Sequence, residues 1–118
     1  MKSSLISLLL LVLLIAAVAP VLADAQPAFP RLIGVTPDTG VIGDELTVEG
    51  ENLDAKLVKA IYLTDGQTDY RAPIIEQSAT SIKFKIPDDA KPGRFSLMVL
   101  TGGNEPRLIE QPVKVTVE

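Results

Sequence analysis

The chain has no cysteine, no histidine and no tryptophan among its 118 residues, and each absence closes off a line of chemistry. Without cysteine there is no disulfide, no thiolate metal site and no thiol nucleophile. Lipid attachment at a processing site is excluded for the same reason. Without histidine the usual general base and the imidazole metal ligand are gone. Basic clusters are missing too: 11 Lys and Arg face 15 Asp and Glu, a net charge of −4. That balance repels nucleic-acid phosphates and anionic lipid headgroups. Lys83 and Lys85 only alternate along one strand and read as solvent-facing decoration. Nucleic acid is therefore not an expected partner.

What is present begins with a leader. Met1-Lys2-Ser3-Ser4 carries one positive charge, and Leu5 to Val18 is almost unbroken Leu, Ile, Val and Ala, interrupted by Ser7. Pro20 breaks the run, and small residues follow in Val21-Leu22-Ala23-Asp24-Ala25. A basic start, an apolar middle and a small-residue exit are the parts of a secretory signal peptide. Cleavage fits after Ala23 or after Ala25; the second places Ala at both specificity positions. An uncleaved anchor is the competing reading, but a spanning helix needs about 20 apolar residues and this run stops short at the proline. The expected organisation is a signal-peptide helix over 1–25, a proline-rich lead-in over 26–30 and one domain over 31–118. No stable membrane insertion is expected after cleavage. Lys2 and Asp24 offset each other, so the balance of −4 carried by the whole chain is also that of the remainder.

Beyond the lead-in the pattern has a period of two, with turn residues at short intervals, which is the signature of an all-β domain. Strands are expected over Arg31–Val35, Glu45–Gly50, Val58–Thr64, Asp69–Ile75, Ser81–Ile86 and Arg94–Thr101. A final strand, Arg107–Ile109 with Val113–Val117, is split by Pro112. Pro73 demotes its strand to an edge or a bulge, because proline cannot donate to a ladder. Asp65-Gly66 is a strong hairpin signal. Ile82, Phe84 and Ile86 point one way, as do Phe95, Leu97 and Val99. Two sheets packed on these apolar faces give a β-sandwich of about seven strands.

Few residues offer chemistry. Ser78, Ser81 and Ser96 lie in no nucleophile-elbow pattern. The carboxylate pairs Asp44-Glu45 and Asp88-Asp89 sit at turns, and a domain this small has little cleft to set two carboxylates across a substrate. No enzymatic activity and no cofactor is expected. Calcium is the metal to consider, since a sandwich that brings the loop residues Asp38, Asp44, Asp88 and Asp89 to one end would offer it oxygen ligands. Carbohydrate recognition uses exposed aromatic platforms, and beyond the leader the aromatics are Phe29, Tyr62, Tyr70, Phe84 and Phe95. Tyr62 and Tyr70 flank the Asp65-Gly66 hairpin. With Arg71 beside them they form the candidate contact patch, unless each covers a sheet edge.

Several segments resemble one family. Pro30-Arg31-Leu32-Ile33-Gly34-Val35-Thr36-Pro37-Asp38-Thr39-Gly40 is similar to the opening of the IPT/TIG immunoglobulin-like domains. Gly43-Asp44-Glu45-Leu46-Thr47-Val48-Glu49-Gly50-Glu51-Asn52-Leu53 is similar to that family's next strand and turn. Ser81 to Pro87, Gly93 to Val99 and the Gly102-Gly103 turn match its later pattern. Asp65-Gly66-Gln67-Thr68-Asp69 departs from it, standing where the family often has Gly-Gly. Gly40 and Gly50 suit positive φ or close backbone approach, Asn52 suits a bond to its own local backbone, and Leu53 suits the end of the core. The resemblance implies an immunoglobulin-like sandwich of the early-set type. Taken with the leader, the acidic charge and the empty catalytic inventory, it points to an exported, non-enzymatic module for protein–protein contact or spacing at the cell envelope or outside the cell. Such domains usually sit within larger proteins, so a solitary one implies another envelope or extracellular protein, or self-association. The alternative is a carbohydrate-binding surface module with a glycan partner.

Overall fold

The computed structural model describes residues 29–118. The signal-peptide expectation, with cleavage at Ala23 or Ala25, and most of the lead-in lie outside the described residues. The described residues fold as nine strands: β1 (Arg31–Thr36), β2 (Thr39–Gly40), β3 (Glu45–Glu51), β4 (Val58–Thr64), β5 (Asp69–Ala72), β6 (Ile74–Gln77), β7 (Ser81–Lys85), β8 (Gly93–Thr101) and β9 (Leu108–Val117). They form a four-stranded sheet, β1-β3-β7-β6, and a five-stranded sheet, β2-β9-β8-β4-β5.

Alternation decides which side chains meet between the sheets. Leu46 and Val48 of β3 and Ile82 and Phe84 of β7 come from one sheet. Ile61 and Leu63 of β4, Leu97 and Val99 of β8 and Val115 of β9 come from the other, and all nine are fully buried. Each such burial contributes roughly 1.5–3 kcal/mol. Leu53 closes one end of this core, as its place in the sequence suggests. Gly50 is a close-approach glycine: a Cβ there would collide with the backbone carbonyl of Arg31 on the neighbouring strand. Asn52 differs from expectation. Its backbone is left-handed, at φ 58°, and its side-chain Nδ2 donates to the Phe29 carbonyl at 3.0 Å rather than to its own turn. The bond ties the incoming chain to the body.

The count of nine against about seven comes from prolines. Pro73 does not end up inside one strand; it hands the chain from β5, the edge of the five-stranded sheet, to β6, the edge of the other. On the opposite flank Pro37, after a cis bond from Thr36, hands the chain from β1 to the two-residue β2. Proline lacks the N–H that a continuing ladder needs, so both transfers fall where sequence logic permits them. Pro112 does the reverse of what was expected. It leaves β9 whole and is absorbed by a register shift opposite the stretch between Ser96 and Met98.

Candidate functional site: the outer face of the five-stranded sheet

The antiparallel register lays the outward side chains of β5, β4, β8 and β9 in rows. Arg71 stands opposite Tyr62, Tyr62 opposite Met98, and Met98 opposite Glu110. One row over, Ala60 faces Leu100 and Leu100 faces Leu108. Directly opposed residues on one face have Cβ atoms about 5 Å apart, so these side chains are neighbours. Met98 is only 9% exposed although it points away from the core. Leu108 is half exposed, at 50%, and Tyr62 and Leu100 are half-buried. The result is an apolar centre of Tyr, Met and Leu. Arg71 and Asp69 border it on the β5 side, and Glu110 and Lys114 on the β9 side. Lys114 Nζ donates to Ser96 Oγ at 3.2 Å, which holds that rim in place.

The three residues singled out as a contact patch do not stay together. Tyr62 and Arg71 share this face as a cross-strand pair. Tyr70 has the opposite parity: it is 8% exposed in the core and meets the Phe95 ring edge-on at a centroid distance of 5.8 Å. Met98, Leu100 and Leu108 were missed. The unbroken apolar run Leu97-Met98-Val99-Leu100 carried the signal, since a strand apolar on both parities is covered on both sides.

A second concavity lies at the end of the sandwich where the chain enters. It has a volume of about 320 Å³ and is lined by Phe29, Pro30, Leu57, Ile109, Glu105 and Arg107, among others. Phe29 is 65% exposed at its mouth. The loop carboxylates do not gather into a calcium site: among the described residues no three Asp or Glu side chains are close enough to share an ion. Asp44 instead accepts the Val41 amide at 3.0 Å, a turn role. The serines are likewise structural. The Ser78 hydroxyl caps the Ser81 turn, and Ser96 accepts from Lys114. In the β4–β5 hairpin the Thr68 and Gln67 amides donate to Asp65 Oδ1 at 2.7 and 2.9 Å. Those bonds, the one from Thr68 foremost, favour the ionised form and hold the carboxyl pKa below its ordinary value.

Comparison with known proteins adds to the geometry. The family model described as IPT/TIG domain matches residues 30–117. No curated protein matches the chain. Among solved structures, a protein of unknown function from Bacteroides thetaiotaomicron superposes with a TM-score of 0.64 at 18% identity, over 80% of this chain and 22% of its own. An auxiliary nutrient binding protein from Bacteroides ovatus gives 0.53 at 20% identity, over 77% and 21%. The Bacteroides ovatus mixed-linkage glucan utilization locus protein SGBP-B, in complex with a mixed-linkage heptasaccharide, gives 0.50 at 20%, over 73% and 23%. The chain thus spans about a fifth of the length of these structures. At such identities the likeness concerns the fold.

Proposed function

This chain belongs to the IPT/TIG domain family, with its immunoglobulin-like fold, and from that premise we propose that it is an exported, non-enzymatic module that docks another envelope or extracellular protein. The observation that carries the reading is the row Arg71–Tyr62–Met98–Glu110 on the outer face of the five-stranded sheet. Tyr, Met and Arg are the residues enriched at the centres of protein interfaces, with charges moved to the rim. The empty catalytic inventory supports the non-enzymatic part. The Leu5–Val18 apolar run and its small-residue exit support export, with removal of 1–25 and a domain beginning at Arg31.

The test expresses the chain from Met1, fractionates the cells and reads the N-terminus of the accumulated form by mass spectrometry. Cross-linking on the same cells then compares Tyr62→Ala and Arg71→Ala with Lys85→Ala on the opposite sheet. The expected result is an exported form starting after Ala23 or Ala25. It should have a cross-linked partner that the first two variants lose and the third keeps. Retention of the partner by all three would remove this face from the reading.

A second reading, glycan recognition, is favoured by one feature: the groove under Phe29, with an exposed ring beside Arg107 and Glu105. An aromatic ring flanked by a charged donor and acceptor suits a sugar. Tyr62 and Tyr70 cannot form that platform, since they lie on opposite faces of one sheet. A glycan-array signal abolished by Phe29→Ala supports this reading, and an array without signal at millimolar saccharide ends it.

A further inference from the structure

Among the described residues the sandwich has four edge strands, β1 and β6 in one sheet and β2 and β5 in the other. An edge leaves backbone N–H and C=O groups free to pair with another strand, and proteins blunt it with bulges, short lengths or covering groups. Three of these edges are blunted. β1 has a register shift between Leu32 and Gly34, and the Leu32 amide is taken by Gln111 Oε1 at 2.9 Å. β6 has a shift between Ile74 and Glu76, and β2 is two residues long. β5, four residues long, has no register shift. Asp69, Tyr70, Arg71 and Ala72 pair with β4 in unbroken register, and Asp69 and Arg71 are exposed to solvent.

Those two charges are of opposite sign, and their spacing is self-complementary. Consider a second copy whose β5 runs antiparallel alongside the first, related by a two-fold axis perpendicular to the sheet. Such an axis keeps outer face with outer face, so each residue must oppose one of its own parity. That leaves few registers. One sets Asp69 against Asp69 and another sets Arg71 against Arg71; like charges directly opposed are destabilising. A third pairs only Ala72 with itself before Pro73 interrupts. The remaining register centres on Tyr70 and places Asp69 opposite Arg71 twice over.

The geometry points to a second copy of this chain as the occupant of the β5 edge, paired antiparallel about Tyr70 with Asp69 opposite Arg71 of the other copy. The two five-stranded sheets then join into one, and their outer faces become continuous. Both Tyr62–Arg71 pairs stand close to the axis, so dimerisation duplicates the docking face. The inference deepens the protein-contact reading but does not need the docked partner, because self-association is read on the purified chain alone.

The test is sedimentation of the chain expressed from Met1, in the form cells accumulate, across micromolar to millimolar concentration. The native chain is expected to be a monomer–dimer mixture. The two-fold axis doubles every change, so Asp69→Arg, which sets Arg against Arg at both positions, weakens the dimer about tenfold or more. Arg71→Asp does the same with Asp against Asp. The double exchange D69R/R71D restores the native affinity, since the opposite charges face each other again. All three changes are at exposed positions, and circular dichroism confirms that each variant folds. A native chain that stays monomeric at millimolar concentration overturns the proposal. So does a dimer that the single exchanges leave unchanged, or one that the double exchange fails to restore.

Discussion

The two outer faces of this sandwich are built by the same alternation and yet differ in kind. On the four-stranded sheet Glu45 opposes Lys85 and Thr47 opposes Lys83, Arg31 opposes Glu51, and Lys83 Nζ lies 3.7 Å from Glu76 Oε2. Its exposed apolar residues, Ile33 and Ile75, stand singly on the two edge strands. On the five-stranded sheet the same outward parity carries Tyr62, Met98, Leu100 and Leu108 in adjacent rows. The first face is a lattice of opposite charges that water solvates well. The second keeps apolar area together and pushes its charges to the border. The two faces share one core and one chain, so packing of the core does not by itself account for the difference, and the apolar face is the one to which the docking reading applies.

The sharpest way to break that comparison uses the two tyrosines, which the sequence presents as equivalents. Tyr70→Ala removes a core ring packed on Phe95 and is expected to lower unfolding free energy by about 3 kcal/mol in urea denaturation. Tyr62→Ala, on the outer face, should lower it by about 1 kcal/mol. Equal losses would dissolve the assignment of the tyrosines to opposite faces. Next in size is Met98→Ala, expected to cost about 1–2 kcal/mol because the side chain is nearly covered although it points outward. Lys83→Ala on the other face should stay within about 0.5 kcal/mol. A costless Met98→Ala would make the two faces alike after all.

Smaller still is the Lys83–Glu76 pair. Glu76→Gln should change stability by no more than about 0.5 kcal/mol at low salt, and by less at high ionic strength, because both side chains are solvated. The smallest effect belongs to the β4–β5 hairpin that borders the apolar face. Asp65 should titrate below an ordinary aspartate when followed by NMR. Its folded pKa is depressed, so its contribution is present above the unfolded carboxylate pKa and is lost as pH falls through the folded value. An ordinary Asp65 titration would mean that the Thr68 and Gln67 amides do not hold the turn.

Much of the fold was legible because period-two patterning and punctuation depend on local chemistry. Ile82 and Phe84, or Phe95, Leu97 and Val99, declare their inward face without help from distant residues. The prolines were legible in kind and not in outcome. Pro73 and Pro112 both forbid a ladder hydrogen bond, yet one moves the chain between sheets and the other sits in a bulge. Which occurs depends on neighbours far away in sequence. The site was legible only in part for the same reason. Tyr62 and Arg71 face each other because β4 and β5 are adjacent and joined by a short hairpin. Met98 joins them through β8, more than thirty residues on. Tyr70 was misplaced because flanking a hairpin symmetrically does not give two residues the same parity; the register does, and it pairs Tyr70 with Leu63.

The seam between β2 and β9 has one more consequence. These two strands run parallel, with the Thr116 amide on the Asp38 carbonyl at 2.8 Å and the Glu118 amide on the Gly40 carbonyl at 2.9 Å. One strand lies near the start of the described chain and the other at its end. Tension applied between Phe29 and Glu118 meets the pairing of β1 with β3 first, and beyond it drags β2 and β9 past each other along their length. The bonds of the seam are loaded together, in shear, and none can be peeled open ahead of its neighbour. Built this way, the domain transmits a pull through its hydrogen bonds before it yields to one.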